Sequence, residues 1–341
     1  MDSPGLTTEL APARSYLQTY LAPLRGLLAR ADVTDILVNR PGEAWVESSG
    51  GAFERHPIPG LDETALWRLV RLIAAFCDQG VSREHPLLSA TLPDGARVQV
   101  IAPPATRGSV AIAIRKHQLA DITLAELEAR GAFARLAQPA ACTTPDVRSE
   151  LRALRDRGAV SEFLSAAVRH RQNIVVCGGT ATGKTTVINA LIKEIPKTER
   201  LVLIEDAAEL RLDHPNAVGL IAVKGELGEA RVSVDDLMQA SLRMRPDRVI
   251  IGELRGREAV TFIRAANSGH PGSLTSVHAD SPRGAMRQMA LMMVQAGANL
   301  SRADCENYIR DVVDVWLQLS RIGSNREVSA IVFGSEIEES A

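Results

Sequence analysis

"NIVVCGGTATGKTTVINAL", Asn173 to Leu191, runs from consecutive apolar residues through a glycine-rich turn into a helical pattern that opens on a lysine. Ile174, Val175 and Val176 are β-branched and unbroken by polar residues, the pattern of a strand covered on both faces. Gly178 and Gly183 bracket Gly179, Thr180, Ala181 and Thr182, and Lys184, Thr185 and Thr186 follow, giving G-x-x-x-x-G-K-[ST] between strand and helix. Glycines let the backbone curl so that successive N–H groups converge on phosphate oxygens, and the helix N-terminus adds partial positive charge. Residues 178–186 are therefore expected to cradle the phosphates of a nucleotide. Lys184 is expected to reach the β- and γ-phosphates, with the Thr185 hydroxyl as a ligand of Mg²⁺.

The chain around this motif continues in the same style. "RLVLIED", "DRVIIGE" and "SLTSVHA" read as strands, while "KTTVINALIKEI" and "EAVTFIRAANSG" read as helices. Continuous apolar strands alternating with helices predict a parallel sheet with helices on both faces, an α/β nucleotide-binding domain. In such a sheet the C-terminal strand ends share one edge, so the residues there matter most. Glu205 and Asp206 end one strand, placed to hold Mg²⁺ or polarise a water; Glu209 follows as an acidic loop residue. Glu253 ends another strand and is the expected general base or water-orienting group. His278 ends a third, where an imidazole could hydrogen-bond a γ-phosphate; His270 is the weaker candidate of the two.

The first part of the chain has a different texture. "TDILVNRPGEAWVES" predicts strand, turn at Arg40-Pro41-Gly42, strand, and "DETALWRLVRLIAAFC" predicts a helix with Leu66, Leu69, Val70 and Ile73 on one stripe. "SVAIAIRK" alternates Val110, Ile112 and Ile114 with small residues, a sheet strand with one buried face. Leu17, Tyr20, Leu21, Leu24 and Leu28 form a stripe interrupted by Pro23; few Lys or Arg border it, so it is expected to pack on its own domain rather than on a membrane. "AQPAACTTPDVRS", Ala137 to Ser149, has two prolines and few large apolar residues, which suits a linker. The expected organisation is an N-terminal α+β domain over 1–137, a linker over 138–149 and an α/β nucleotide-binding domain over 150–341.

Composition narrows the function classes. The chain has 341 residues, 45% of them hydrophobic, enough for about two cores, and its net charge is only −2. That balance lacks the basic excess of a protein that coats nucleic acid, and three Trp and three Tyr are too few for a base-stacking groove. Four scattered cysteines without a C-x-x-C pair predict neither a zinc module nor a disulfide scaffold. No apolar run approaches the roughly 18 residues of a membrane span, and "MDSPGLTTELAPARS" lacks a secretory signal pattern, so a cytoplasmic location is expected. Met286, Met289 and Met293 at helical spacing after Ser281-Pro282 are expected in the core, and Asp304, Asp311 and Asp314 on the polar face of a late helix.

Four motifs in order resemble the type II/type IV secretion (traffic) ATPase superfamily: "GGTATGKTT", "IEDAAEL", "LRMRPDRVIIGELRG" and "GHPGSLTSVHA". "LPDGARVQVIAPPA" followed by "IAIRKH" resembles the family's N-terminal domain, so the likeness spans nearly the whole chain. Its short length, the lack of a tetracysteine module and Ala113-Ile114-Arg115-Lys116 look most like the VirB-type ATPase of conjugation and type IV secretion, with the Trb-type conjugative ATPase close by. The resemblance implies a PAS-like N-terminal domain over 1–137, a RecA-like ATPase domain over 150–341, and a homohexameric, ATP-hydrolysing, Mg²⁺-dependent ring. Such a ring sits peripherally at the inner membrane with secretion-channel proteins and powers substrate translocation or pilus assembly.

The resemblance also implies that Arg115, and less directly Arg97, reach the nucleotide from the N-terminal domain, and that Arg243 and Arg245 lie near the site. The last two could equally pair with Asp235, Asp236 or Asp247. Competing readings are a RecA-like helicase acting on nucleic acid, a ring that binds nucleotide without turnover, and a small-molecule kinase. The first needs a basic aromatic groove, the second is at odds with an intact Lys184 and Glu253, and the third leaves the N-terminal domain without a role.

Overall fold

The computed structural model of the chain describes residues 17, 19–116, 123–133, 147–223 and 229–337. Two sheets organise it. In the N-terminal half a 3₁₀ turn at Ala22–Leu24 leads into α1 (Arg25–Ala29), then β1 (Val33–Val38), β2 (Glu43–Ser48), β3 (Phe53–Pro57), α2 (Glu63–Phe76), β4 (Leu87–Thr91), β5 (Arg97–Ile101) and β6 (Ala111–Arg115). The strands pair antiparallel in the order β3-β2-β1-β6-β5-β4. The β1–β2 connection turns at Gly42, whose φ of 81° is one that a side chain would resist. Helix α2 is capped by Asp62, which accepts from the Ala65 N–H, and it buries Leu66, Leu69, Val70 and Ile73 against the sheet. Leu17 and Leu24 are buried in the same cluster, with Tyr20, Leu21 and Leu28 packed against it. Pro23 falls in the first turn of the 3₁₀ segment, where its missing N–H is not needed.

One expectation for this half changes. Strand β6 was expected to bury a single face, but Ala111 and Ala113 are as buried as Ile112 and Ile114. The alanines, with Leu37 and Ile101, join the core of the C-terminal half. Small side chains let the two units approach closely, so the second face is covered by the other domain instead of water.

The C-terminal half carries α4 (Val147–Asp156), α5 (Val160–Arg169), β7 (Ile174–Gly178), α6 (Lys184–Glu194), β8 (Leu201–Glu205), β9 (Ala217–Ile221), α7 (Val234–Ser241), β10 (Arg248–Ile251), α8 (Glu258–Asn267), β11 (Leu274–Val277), α9 (Pro282–Gln295), α10 (Arg302–Val312), β12 (Val315–Ile322) and β13 (Asn325–Phe333). A short helix, α3 (Leu124–Ala129), precedes them and is opened by a capping box between Thr123 and Glu126. Of the expected linker, residues 138–146 lie outside the described residues, and Val147–Ser149 open α4 instead.

The second sheet runs β13-β12-β7-β11-β10-β8-β9, parallel throughout except for β13. Alternate residues face opposite layers, as the two-residue period of a strand requires. Ile174, Val176, Leu201, Leu203 and Ile250 pack with α4, α5 and α6. Val175, Cys177, Val202, Ile204, Val249 and Ile251 pack with α7 to α10, including the buried Met286, Met289 and Met293. This is the α/β RecA-like arrangement expected of the P-loop half, beside a smaller α+β domain.

Neither β9 nor the β12–β13 hairpin carries a sequence pattern strong enough to single it out. Asp314 is also differently placed: α10 ends at Val312, and the Asp314 carboxylate accepts the Asn173 N–H at 2.8 Å at the entry to β7. It ties two strand starts together rather than facing solvent on a helix.

Candidate active site

Because β7, β11, β10 and β8 are parallel neighbours, their C-terminal ends open on one edge of the sheet. There Lys184, Glu205, Glu253 and His278 line a single cleft of about 670 Å³. Thr180 to Thr186, Asp206 and Glu209 line it as well. Gly178 and Gly179 form the turn beneath. A Cβ on Gly178 would stand 2.5 Å from Thr182 Oγ1 and 3.0 Å from the Leu319 carbonyl, so the curl has no room for a side chain.

Helix α6 begins at this turn without a side-chain cap. Its N-cap is Gly183 at φ 95°, and its first turn holds no acidic residue. By contrast, α2, α7, α9 and α10 are capped by Asp or Ser side chains, and α5 and α8, which also lack a side-chain cap, each carry a glutamate in the first turn. The first N–H groups of α6 are thus left by the protein's own side chains for an anion. Lys184 Nζ donates to the carbonyls of Gly178 at 2.9 Å and Gly179 at 3.0 Å, which holds its ammonium over the turn.

Across the cleft, the Thr185 hydroxyl donates to Glu209 Oε2 at 3.0 Å. Asn189, one turn along α6, donates to the Glu209 carbonyl and accepts the Arg211 N–H, fastening the acidic loop to the helix. Glu253 Oε2 accepts from Arg255 Nε at 2.7 Å, and Arg255 also reaches Asp206 at 3.3 Å. The pairing raises the Arg255 guanidinium, principally through the hydrogen bond to Glu253. Ser276 donates to the Gly252 carbonyl at 2.7 Å and so fixes the peptide from which Glu253 projects. His278 lies exposed on the cleft wall. Burial pushes the Cys177 thiol, at the end of β7, up to about 12, which leaves it inert as a nucleophile.

Glu205 is differently employed than expected. Oε1 accepts the N–H groups of Glu209 at 3.0 Å and Leu210 at 2.7 Å, while Oε2 forms an ion pair with Arg107. Both oxygens are engaged, so in this arrangement Glu205 winds the acidic loop rather than offering itself to a metal. Arg115 is not among the residues lining the cleft. It ends β6 and pairs with Asp35 at 2.9 Å, because β1 and β6 are in register there. Arg97 is Arg115's cross-strand partner on β5.

Arg243 and Arg245 bridge the two domains. Arg243 donates to Ser89 Oγ at 2.8 Å, and Arg245 binds Glu47 and Asp247. His270 packs beside them, with Nδ1 hydrogen-bonded to the Pro246 carbonyl. Two cleft-lining residues, Arg326 and Arg255, and one behind the cleft wall, Arg107, carry no sequence signal of the site or were passed over. Arg107 comes from a loop without a motif and reaches Glu205 from outside the cleft, and Arg326 projects into the cleft from the β12–β13 hairpin. Arg255 lies two residues beyond Glu253, and an arginine so close to a strand-end carboxylate was a legible sign of an ion pair.

Comparison with known proteins identifies the family. The model of the type II/IV secretion system protein family matches residues 18–305. The chain belongs to that family. This secretion ATPase is 39% identical over 321 residues to the type IV secretion system protein VirB11 of Brucella suis, covering 92% of this chain and 88% of that protein. It is 40% identical over 295 residues to the type IV secretion system protein PtlH of Bordetella pertussis, covering 84% and 85%. The crystal structure of the Brucella suis VirB11 ATPase in complex with sulphate superposes with a TM-score of 0.88 at 36% identity, covering 96% of this chain and 97% of that one. The chain is therefore a nucleotide-binding ATPase of the VirB11 type, an ATP-hydrolysing component of a bacterial type IV secretion system. Among the described residues no helix is long and apolar enough to cross a membrane.

Proposed function

We propose that the chain works as a homohexameric ring, peripheral at the cytoplasmic face of the inner membrane. In this reading it converts ATP hydrolysis into domain motion for substrate translocation or pilus assembly through channel proteins. The N-terminal domain ends near residue 137 and the ATPase domain begins near residue 150. The observation that carries the proposal is the uncapped α6 start with Lys184 above it, facing Glu253 across one cleft. A glycine-rich turn leading into a helix start with neither cap nor acidic first turn presents its N–H groups to an anion, and a strand-end carboxylate opposite it can orient an attacking water. The relative from Brucella suis was crystallised with sulphate, a tetrahedral oxyanion like a phosphoryl group.

In this reading the N–H groups of Gly179 to Thr186 bind the phosphates, and Lys184 turns from its carbonyls to the β- and γ-oxygens. Glu253 accepts the proton of the attacking water or orients it. His278 donates to the γ-phosphate and senses its loss. Thr185, its partner Glu209, and Asp206 elsewhere on the same cleft offer the hard oxygen donors that suit Mg²⁺, an ion that takes few protein ligands and completes its shell with water and phosphate. Held there, such an ion would supply neutralisation of the negative charge of the phosphates. Arg115 and Arg97 lie outside the cleft of the single chain. They would act on the nucleotide only after a change in domain position or from a neighbouring subunit.

The test is mass in solution by light scattering, with and without ATP and Mg²⁺, using Lys184→Ala as control. A six-subunit particle favoured by nucleotide in the native chain but not in the variant is expected. A monomer or dimer under all conditions would remove the ring.

A further inference from the structure

The loop between β5 and β6 crosses to the other domain and adds to the free edge of its sheet. Thr106 forms an antiparallel bridge with Leu220 of β9; the Ile221 N–H donates to the Ala105 carbonyl at 3.0 Å, and the Arg107 N–H to the Gly219 carbonyl at 2.9 Å. The Arg107 side chain then runs over Gly219, where a Cβ would stand 2.6 Å from Arg107 Cδ. Its guanidinium ends beneath the acidic loop, only 13% exposed, with Nη2 on Glu205 Oε2 and Nη1 donating to the Leu210 carbonyl at 2.6 Å. Glu205 Oε1 meanwhile holds the Glu209 and Leu210 N–H groups, and Glu209 holds the Thr185 hydroxyl. A continuous chain of contacts thus leads from the N-terminal domain to the start of α6.

We propose that Arg107 is a positioning residue for hydrolysis, an interdomain latch that fixes the loop 205–210 and through it the placement of Glu209 against Thr185. The inference rests on the reading of Thr185 and Glu209 as flanking the phosphates. Arg107 touches neither the cleft nor the reacting atoms, so its effect falls on turnover more than on nucleotide affinity. It also makes the loop responsive to the N-terminal domain: withdrawing that domain takes the guanidinium away and leaves a buried carboxylate without its counter-ion. Gly219 belongs to the same device, since only a glycine lets the arginine pass.

The experiment compares steady-state ATP hydrolysis and binding of a fluorescent ATP analogue in the full chain and in Arg107→Ala, Arg107→Lys, Gly219→Ala and the Arg107→Ala/Gly219→Ala double variant. Arg107→Ala should lower kcat about tenfold to a hundredfold while KM changes by less than about threefold. Arg107→Lys should recover part of the loss, because an ammonium can pair with Glu205 but cannot also fork to Leu210. Gly219→Ala keeps both charges and should reproduce the kcat loss; where Arg107→Ala fails to fold, this variant carries the test. In the double variant Gly219→Ala should add nothing further.

A kcat within about twofold of the native chain in Arg107→Ala and Gly219→Ala overturns the latch, as does full multiplication of their effects in the double variant. Absence of turnover in the unsubstituted chain sinks the reading of the cleft on which the latch depends, and is distinguishable from both.

Discussion

Arg248→Met should destabilise the C-terminal domain by about 3–4 kcal/mol, a loss large against ordinary domain stabilities. Arg248 is 0% exposed at the start of β10, and Glu199, just before β8, is 6% exposed. Nε and Nη2 grip the two carboxylate oxygens at 2.7 and 2.8 Å, and Nη1 donates to the Val168 carbonyl at 2.8 Å. Removing one partner of a buried pair strands the other charge, at a cost of about 3–5 kcal/mol, and an orphaned carbonyl adds about 1 kcal/mol. Arg171 approaches Glu199 at 3.2 Å from a partly exposed position and offsets some of that, which sets the value at the lower end.

The assay is urea unfolding followed by fluorescence of the buried Trp316, in a Trp45→Phe/Trp67→Phe background so that only the C-terminal sheet reports. With an m-value of about 2 kcal/mol/M the midpoint should fall by about 1.5–2 M. The double variant Arg248→Met/Glu199→Leu should recover most of the loss, since an apolar pair needs no solvation. A cost below about 1 kcal/mol for Arg248→Met, or a double variant no more stable than the single, would refute the reasoning. The pair clamps the starts of β8 and β10, whose other ends carry Glu205 and Glu253, so slack here should also lower turnover.

Ser301→Ala should cost about 1 kcal/mol of stability, because Ser301 and Asp304 close a reciprocal box at the start of α10; an unchanged urea midpoint would contradict this. His214 and His270 are both held below the usual histidine value, chiefly by burial, the latter also by the nearby Arg245. Their folded values lie below the unfolded one, so their stability contribution is full above about pH 6.5 and is lost as pH falls toward the folded values. Thermal melts should therefore show stability dropping between about pH 7.5 and pH 5.5, with a shallower drop in His214→Gln/His270→Gln. A drop of equal depth in that variant would exclude the two imidazoles as its source.

The α/β core was legible because its signals are local. An unbroken apolar strand, a glycine turn and a helix at Asn173 to Leu191 sit within one stretch of chain, and parallel pairing then forces Glu205, Glu253 and His278 to one edge. The N-terminal helix stripe was legible for the same reason. What the sequence concealed depends on contacts between distant segments. Ala111 and Ala113 look like the solvent side of a half-buried strand until another domain covers them. Arg107 meets Glu205 across 98 residues, in a loop whose residues announce only a turn. The engagement of Glu205 by backbone N–H groups is likewise invisible in "IEDAAEL", which advertises carboxylates but not which of them is already taken. Arg115 shows the converse: a motif suggested a reach toward the nucleotide, while cross-strand register gave it Asp35 in the single chain.

Whether one cleft both binds ATP through Lys184 and hydrolyses it through Glu253 is decided by Glu253→Gln. Phosphate release and binding of a fluorescent ATP analogue would be measured on the same preparation. Turnover should fall by about a hundredfold or more with nucleotide affinity close to that of the native chain. Near-normal phosphate release from Glu253→Gln would contradict it.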